Sequence, residues 1–469
     1  MSYNPIPGPP GPPMPWHQPP PGPSPGTGPE PVEGHEPAKS PAITKSEQLK
    51  TTVSPVTRRR FLTFCGVVGA AGIAAGATQV HWSDLVSAAA KTPLDPADGV
   101  LVIITLYGGN DGLNTVIPAG DAAYQSARGE LAYAASDVLD LGEGLGLNPG
   151  MKGLHELWGN KELAIVRGVG YPYPDRSHFR SMAIWQSASP QSAVSTGWLG
   201  RWLDATTTNP LIALSVDSLV PPMLAGEKLA AASFPIGGLR MPKNVLDRAV
   251  ALLGKPSSDD DVWRARAARS FADLQAAVGT FGPAQNRQPS ATPTTDPDDQ
   301  ENQGASAGGQ GQLAAQLDLV ATLIEMGVPT RVYSVSLGGF DTHSDERATQ
   351  QRLLAELDAA LTGFHRRLAA GERGRQVVTM IYSEFGRRVL ANASDGTDHG
   401  TAGPVFLLGR GVRGGFFGAE PSLTDLDDGD LKAGTDFRSI YATLLDHVLG
   451  ADPTRILDGY GDQVDRLIA

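Results

Sequence analysis

The sequence has one cysteine, Cys65, among its 469 residues. Because Cys65 lies in a segment that we interpret below as a removable export signal, the mature chain would contain no thiol, which excludes disulfides and thiolate metal sites. Basic residues are also scarce, since 38 lysines and arginines stand against 50 aspartates and glutamates, for a formal net charge of -12. Such a balance disfavours nucleic acid and anionic membranes as the main partner.

The sequence also lacks an apolar run that would form a permanent membrane span. The best candidate, residues 63–77, contains four glycines and is shorter than the about 20 residues that a span requires. It directly follows Thr57-Arg58-Arg59-Arg60-Phe61-Leu62. A twin-arginine signal typically has an arginine pair, then Phe-Leu, then a weakly apolar run, and this segment has all three features. We therefore predict a signal over residues 57–90, recognition by the twin-arginine export machinery, and an extracellular, cell-wall or periplasmic location. Ala75-Gly76-Ala77 and Ala88-Ala89-Ala90 both suit cleavage, and the second leaves the cleaner mature start.

Large apolar residues are nearly absent from two stretches. Residues 1–56 are rich in proline and glycine, and residues 279–312 consist mainly of Pro, Ser, Asp, Gln and Gly. Neither stretch can bury enough apolar surface to offset the entropy lost on ordering, so we predict a disordered arm and a disordered insertion. Residues 91–469 are predicted to form one domain, because both flanks of the insertion continue one series of strands and helices.

That series begins with Val100–Leu106, which is uncharged and does not alternate, as expected for a central strand covered on both faces. Further strands are predicted at 162–168, 330–337, 376–382 and 404–409, with helices at 259–278, 313–326, 346–370 and 436–449, and with helix and loop at 119–157. Strands that alternate with long helices imply an α/β fold, here a three-layer αβα sandwich with a mainly parallel sheet.

Chemically active residues follow the predicted strands, where α/β proteins usually place their sites. Three of the few histidines of the mature chain, His178, His343 and His399, fall in these loops. The full set is Asp111, Ser177, His178, Asp341, His343, Glu384, Asp398 and His399. Carboxylate and imidazole without thiolate suit zinc, manganese, iron, magnesium or calcium, and the residue types alone do not separate these ions.

Each residue also has a structural alternative. Asp111 could cap the next helix, Asp341 could be a cap beside an exposed histidine, Glu384 and Arg387 could form an ion pair, and His399 could be a turn residue. Because all of these alternatives would have to hold at one edge of one sheet, we favour a shared site.

Six motifs carry a resemblance to a known family: GGNDGLNT, YPDRSHFRSM, LGGFDTH, SEFGRR, TDHGT and SLTDLDDGDLKAGTDFRSIYATLL. Together they resemble the bacterial domain-of-unknown-function 1501 family, whose members are typically exported by the twin-arginine route, over roughly residues 101–450. That family is similar in turn to the alkaline phosphatase and sulfatase superfamily of metal-dependent hydrolases and mutases. The resemblance implies an alkaline phosphatase-like fold and names no substrate.

The resemblance also implies roles for individual residues. Ser177 matches the nucleophile at a helix start, and one or two divalent ions would be held by Asp111, Asp341, His343, Glu384, Asp398 and His399. The sequence departs from the superfamily pattern at Glu384-Phe385, which stands where an Asp-His pair is expected. A one-metal site, an altered two-metal site and an inactive relic are all compatible with this departure.

Two functions follow as expectations. The first is an exported metal-dependent hydrolase of phosphate or sulfate esters on small molecules or polymers, in which Ser177 attacks and Arg180 or Arg387 neutralises the developing charge. The alternative is a non-catalytic secreted binding or assembly protein that uses the same fold as a scaffold. Metal with turnover would support the first, and metal-free protein that binds a polymer tightly would support the second.

Overall fold

The computed structural model describes residues 78–80, 82–217, 220–235 and 313–469. The predicted arm, the twin-arginine motif with its apolar run, the helix at 259–278 and the insertion at 279–312 lie outside these ranges. Within the described ranges, none of the helices combines the length and the apolar character needed to traverse a lipid bilayer.

The described chain contains fifteen strands and nine α-helices, which are numbered here in chain order. The strands are β1 Thr78–Gln79, β2 Val100–Leu106, β3 Val116–Ile117, β4 Leu139–Gly142, β5 Leu145–Leu147, β6 Leu163–Gly170, β7 Ala213–Ser215, β8 Ala232–Ser233, β9 Val332–Leu337, β10 Val377–Ser383, β11 Arg387–Ala391, β12 Thr397–His399, β13 Gly403–Gly409, β14 Gly415–Phe417 and β15 Thr435–Asp436. The helices are α1 Trp82–Lys91, α2 Ala122–Arg128, α3 Lys152–Gly159, α4 His178–Ser187, α5 Trp198–Thr206, α6 Leu313–Glu325, α7 Glu346–Ala369, α8 Phe437–His447 and α9 Pro453–Ile456.

Strand β2 lies inside the large sheet, between β9 and β10, and all seven of its residues are buried. Its side chains alternate between two hydrophobic cores. Val102 and Ile104 pack with α3, α6 and α7 on one face, whereas Leu101 and Ile103 pack with α4, α5 and α8 on the other. A sheet with helices on both faces is a three-layer αβα arrangement, so the predicted fold class is confirmed.

The large sheet has the order β1-β8-β7-β9-β2-β10-β13-β6-β14, with β15 also paired to β6. Its pairs are parallel except at β13, which runs antiparallel to both β10 and β6. Strand β7 precedes residues 236–312 and β9 follows them, yet the two pair directly, with Ala213 opposite Val332. Elements from both sides of the predicted insertion therefore share one sheet.

The sheet register explains why distant loops meet at one edge. Leu106, Leu337 and Ser383 lie side by side at the carboxyl ends of β2, β9 and β10. Because β13 runs the opposite way, its beginning lies at the same edge, with Gly403 opposite Val169 near the end of β6. The loops after β2, β6, β9 and β10 and the residues before β13 consequently converge.

Two small sheets were not predicted from the sequence. Strands β3, β5 and β4 form an antiparallel sheet, of which β4 and β5 lie within residues 119–157, where helix and loop were expected. Strands β11 and β12 form a hairpin before β13. Most of these strands have two to four residues, which is too few for a periodic pattern to be recognised. The hairpin matters for the site because it ends at His399.

Candidate metal centre

Three histidine side chains surround one carboxylate oxygen at this edge of the sheet. The Nε2 atoms of His343 and His399 each lie 3.1 Å from Asp341 Oδ1, and Nε2 of His178 lies 3.5 Å from the same oxygen. The two nitrogens of His343 and His399 are 2.9 Å apart. We call these four residues the histidine cluster.

Each member of the histidine cluster is supplied by a different part of the fold. His178 is the first residue of α4, which begins after the loop that follows β6. Asp341 and His343 lie in the loop between β9 and α7, and His399 is the last residue of β12. The predicted convergence of Asp341, His343 and His399 is therefore present in the structure.

The other ring nitrogen of each histidine faces an oxygen atom outside the cluster. His178 Nδ1 lies 2.9 Å from Glu384 Oε1, and His343 Nδ1 lies 3.5 Å from Asp398 Oδ1. His399 Nδ1 lies 2.9 Å from the carbonyl oxygen of Arg176 and must donate to it, because a carbonyl only accepts. Outer partners of this kind hold a proton on Nδ1 and direct Nε2 toward Asp341, as in histidines that bind metal.

The fit of a metal can be tested on His178. Its Nε2 atom is buried and has no hydrogen-bond partner among the described residues, which is unusual for a buried polar atom. Two ligands bound to zinc at 2.0–2.1 Å in tetrahedral geometry are about 3.3 Å apart. The separations of 2.9–3.5 Å between the Nε2 atoms and Asp341 Oδ1, and between His343 and His399, match that spacing. The ligand atoms of His178, Asp341 and His399 all lie within 4.8 Å of one another.

The charges of the histidine cluster are strongly coupled. Burial alone would raise the pKa of Asp341, but the neighbouring side chains of His178, His399 and Arg387 hold that pKa well below its usual range. Burial disfavours the charged form of His178, yet the carboxylates of Asp341 and Glu384 outweigh it and raise the pKa of His178 to about 9. Burial and the charge of Arg387 lower the pKa of His343. In the metal-free cluster, the positive charge of protonated His178 therefore compensates the negative charge of Asp341.

Arg387 holds Asp341 in place. Its Nη2 atom donates to Asp341 Oδ1 at 2.8 Å, and its other hydrogen bonds go to backbone carbonyls of the loops after β2 and β9 and of strand β12. The side chain of Arg387 is completely buried. Since all of these contacts would be lost if the guanidinium turned toward a ligand, Arg387 positions Asp341 and does not fit the expected role of binding the ester.

The glycine turn after β2 and the ring of Phe385 form the floor of the site. A methyl group added at Gly108 would lie 2.3 Å from the backbone nitrogen of Asp341, and one at Gly109 would lie 2.2 Å from the Phe385 ring. Both glycines also have positive φ, 117° and 75°, which favours glycine. Phe385 packs on the rings of His178 and His399, with centroids 4.9 and 4.8 Å away. The ring that replaces the expected histidine thus gives the site an apolar floor.

Asp111 does not belong to the histidine cluster, contrary to our expectation. Both of its carboxylate oxygens accept from the guanidinium of Arg128, with Nη2 at 2.8 Å from Oδ1, and both side chains are completely buried. Oδ1 also accepts from the backbone of Leu113 at 3.2 Å, so Asp111 caps the short helix that follows it. Burial opposes ionisation of Asp111, but Arg128 keeps its pKa below the usual value. The structural alternative for Asp111 is therefore the one observed.

The remaining predicted residues lie around the histidine cluster. Glu384 is buried and touches it only through His178, while it also accepts from the backbone of Gly108 at 2.9 Å. Asp398 is largely exposed and faces His343. Ser177 is exposed and precedes α4, and its side chain makes no capping hydrogen bond. Arg180 lies in the first turn of α4 and is partly buried.

His178 is the one member of the cluster that was not selected as a ligand from the sequence. The sequence places His178 in a strand-end loop, but the role predicted for this loop was that of a nucleophile, which Ser177 can fill and His178 was not expected to fill. The sequence feature that could have identified His178 as a ligand is the concentration of histidines in strand-end loops, because His178 is one of these histidines. Only the orientation of the first turn of α4 reveals that this histidine faces Asp341.

Comparison with known proteins decides the family. The model of a family described as "Protein of unknown function (DUF1501)" matches residues 166–468, more than half of the chain. The chain belongs to the DUF1501 family. The match contains the whole histidine cluster and excludes Asp111, and it confirms the resemblance drawn from the motifs. No curated protein sequence matches this DUF1501 chain significantly.

Solved structures similar to this DUF1501 protein include a protein in the alkaline phosphatase superfamily, a sulfatase and an alkaline phosphatase. A protein in the alkaline phosphatase superfamily from Vibrio parahaemolyticus is 12% identical, with 81% of this chain and 76% of that chain covered and a TM-score of 0.37. The PsFucS1 sulfatase from Pseudoalteromonas sp. is 11% identical, with coverages of 85% and 79% and a TM-score of 0.36. The alkaline phosphatase of the Antarctic bacterium TAB5 is 11% identical, with coverages of 68% and 92% and a TM-score of 0.31.

Proposed function

We propose that this DUF1501 protein is an exported, metal-dependent hydrolase of phosphate or sulfate esters. The observation that carries the proposal is the arrangement of three imidazole Nε2 atoms around Asp341 Oδ1, each with its Nδ1 atom facing an outer oxygen. Such outer partners fix the tautomer and orientation of histidines that bind metal.

The donor set narrows the choice of ion. His178, Asp341 and His399 would hold the ion, and His343 is placed to join them. Imidazole nitrogen suits zinc, and a carboxylate suits zinc or manganese, whereas magnesium and calcium prefer oxygen ligands throughout. We therefore favour zinc or manganese over magnesium and calcium. The bound ion would supply a positive charge that holds ester oxygens and activates a nucleophile.

Ser177 is the candidate nucleophile. It directly precedes His178, it is exposed, and its hydroxyl is not used as a helix cap. Attack would form a bond from Ser177 Oγ to the phosphorus or sulfur while the bond to the alcohol oxygen breaks. The serine proton leaves with the alcohol, and water later releases phosphate or sulfate from the serine. The amino end of α4 and the side chain of Arg180 would favour the negative charge of the ester.

Nitrophenyl phosphate and nitrophenyl sulfate would test the hydrolase proposal. We expect turnover by the zinc- or manganese-loaded protein, loss of turnover after chelation, and recovery when the ion is restored. Ser177→Ala should retain the ion and lose turnover, whereas the exposed Ser136→Ala should behave like the wild type. Wild-type turnover by Ser177→Ala would remove the nucleophile from the proposal. Loaded protein that hydrolyses neither ester class would favour the alternative of a binding or assembly protein.

Export is the second part of the proposal and rests on Thr57 to Leu62 alone. An arginine pair in such a motif is read by the twin-arginine machinery, which would place the protein outside the cytoplasm. Exchanging Arg58 and Arg59 for lysine should trap the protein in the cytoplasm, as judged by cell fractionation. The same exchange at Arg366 and Arg367, on the surface of α7, serves as the control. Normal export of the Arg58/Arg59 variant would contradict this assignment.

A further inference from the structure

The histidines of the cluster differ in the kind of group that faces their outer nitrogen. Two of them face side-chain carboxylates, whereas His399 Nδ1 lies 2.9 Å from the backbone carbonyl oxygen of Arg176. Arg176 belongs to residues 171–177, the loop between β6 and α4. A backbone carbonyl cannot be moved by a change of side-chain rotamer, so its position depends on the course of that loop. The orientation of His399 consequently depends on what holds the loop at Arg176.

The side chain of Arg176 is held by two aspartates. Its Nε atom donates to Asp430 Oδ2 at 2.8 Å, and its Nη2 atom donates to the same oxygen and, at 3.0 Å, to Asp428 Oδ2. Asp430 is 1% exposed, whereas the side chain of Asp428 is 78% exposed. Water screens the exposed pair, and surface ion pairs contribute at most about 1 kcal/mol. The buried, charge-assisted contact with Asp430 therefore provides most of the hold on Arg176.

Asp430 is connected in turn to the hairpin that carries His399. Thr401, which follows β12, donates its hydroxyl to the backbone carbonyl oxygen of Leu431 at 2.5 Å. Arg388, on the partner strand β11, approaches Asp430 Oδ1 with its Nε atom at 3.6 Å. Asp430 thus links the loop and the hairpin, which supply the acceptor and the donor of the hydrogen bond to His399.

A separate set of contacts holds the rest of the loop. The hydroxyl of Tyr171, a buried residue, accepts from the backbone nitrogen of Asp175 at 3.1 Å, and Asp175 Oδ1 accepts from the backbone nitrogen of Ser177 at 2.8 Å. Because these bonds do not involve the Arg176 side chain, they should persist when its contact with Asp430 is lost. Loss of that contact is therefore expected to release the carbonyl of Arg176 while the loop stays folded.

We propose that Asp430 is a positioning residue of the metal centre: through Arg176 it fixes the carbonyl that accepts from His399 Nδ1, and so directs His399 Nε2 toward the ion. Asp430 does not touch the ion itself. The arrangement extends the usual outer partner of a metal-binding histidine by one residue, since a carboxylate holds the arginine whose carbonyl holds the imidazole. The inference rests on the metal centre of the proposed function.

Zinc affinity, measured by competition with a chelator, tests the proposal. We expect Asp430→Asn to bind zinc about tenfold more weakly than the wild type, at the lower end of the 10- to 100-fold loss typical of outer partners, because Asp430 acts through a second residue. Asp428→Asn is the matched control, since it removes the same charge from the same arginine at an exposed position, and it should weaken binding about twofold or less.

Arg176→Met should weaken zinc binding as much as Asp430→Asn does. Its side chain is 38% exposed, so this variant tests the same contact if Asp430→Asn does not fold. The double variant should bind zinc no more weakly than Arg176→Met alone, because two residues that act through one contact are not additive. Independent, multiplying losses would show that Asp430 does not act through Arg176.

Exchange of the His399 Nδ1 proton with solvent separates positioning from a merely structural role. In zinc-loaded protein labelled with ¹⁵N-histidine, the signal of this proton is identified by its absence from His399→Ala. We expect it to exchange slowly in the wild type and in Asp428→Asn, and about tenfold faster in Asp430→Asn. A structural role alone would lower the free energy of unfolding without changing this exchange rate.

Unchanged zinc affinity and unchanged proton exchange in Asp430→Asn would overturn the positioning role and leave the hydrolase proposal standing. Zinc-loaded wild type that hydrolyses no ester would remove the hydrolase proposal, and the affinity series would still decide the role of Asp430. If the wild type binds no zinc, exchange of the His399 Nδ1 proton in the metal-free protein decides it. Faster exchange in Asp430→Asn would then support the positioning of His399, and equal exchange would reject it.

Discussion

Two carboxylate clusters lie near the same edge of the sheet and differ in the partners of the carboxylate. Asp111 is enclosed by the guanidinium of Arg128, with Glu346 Oε1 3.8 Å from the same guanidinium. Asp341 is surrounded by imidazoles and is 38% exposed. In both, neighbouring donors hold the pKa of the carboxyl below its usual range. We call the first set the arginine cluster.

The difference lies in what each cluster can still bind. Guanidinium has five N–H donors and no lone pair, so Asp111 is saturated by a partner that cannot coordinate a metal. Imidazole can exchange its proton for a metal ion, so Asp341 and the histidines around it can still bind a metal together. Two aspartates that follow neighbouring strands therefore have a structural role in one case and a proposed ligand role in the other.

Breaking the arginine cluster should have the largest effect on stability. Arg128→Met removes the cation that pairs with Asp111, and loss of one partner of a buried pair costs about 3–5 kcal/mol. Urea denaturation should show this loss, while the metal affinity of the folded fraction stays unchanged because Arg128 does not contact the histidine cluster. Arg366→Ala, which breaks an exposed pair with Glu156, should cost less than about 1 kcal/mol. Equal losses in the two variants would contradict the buried role of Arg128.

Weakening the support of the histidine cluster should act on metal affinity instead. Glu384→Gln keeps an oxygen for His178 Nδ1 and for the backbone of Gly108 but removes the negative charge. Loss of such an outer partner typically weakens metal binding 10- to 100-fold, so we expect a change of that size in competition with a chelator. Unaltered affinity would show that Glu384 serves only the fold.

The pH dependence of stability separates the clusters further. Burial and the neighbouring charge of Asp111 raise the pKa of Glu346 to about 9. Because the pKa of an unfolded glutamate is about 4.3, the unfolded chain loses this proton first, and stability falls as pH rises between the two values. Glu346→Gln should remove that slope, so its stability relative to the wild type should rise by about 1.4 kcal/mol per pH unit between pH 5 and pH 8. Parallel stability curves for both proteins would contradict a protonated Glu346.

Asp398 should give the smallest effect. It faces His343 Nδ1 at 3.5 Å, and its side chain is 61% exposed, so water screens the contact. Asp398→Asn should therefore weaken metal binding less than about threefold, within the range of a surface ion pair. An effect as large as that of Glu384→Gln would mean that His343 needs its carboxylate partner as much as His178 does.

The sequence predicts the parts of this molecule that depend on local pattern. The uncharged run of β2 requires a strand covered on both faces, and the strand-end positions of Asp341, His343 and His399 bring them to one edge. The capping role of Asp111 was one of the alternatives, but its ion pair was not predictable, because Arg128 lies on α2 and nothing in the local sequence marks the pairing. The ligand role proposed for His178 depends on how α4 begins, which tertiary packing decides. Strands β3 and β12 are too short for an alternating apolar pattern to be recognised in the sequence.

Elemental analysis of the purified, metal-loaded protein tests the central claim most directly. The wild type should retain zinc or manganese after dialysis, and the folded fraction of Asp111→Asn should retain the same amount. His178→Ala, His399→Ala and Asp341→Asn should each lose the ion while remaining folded by circular dichroism. Wild-type protein that holds no ion, or loss of the ion in Asp111→Asn with retention in Asp341→Asn, would contradict the assignment of the two clusters.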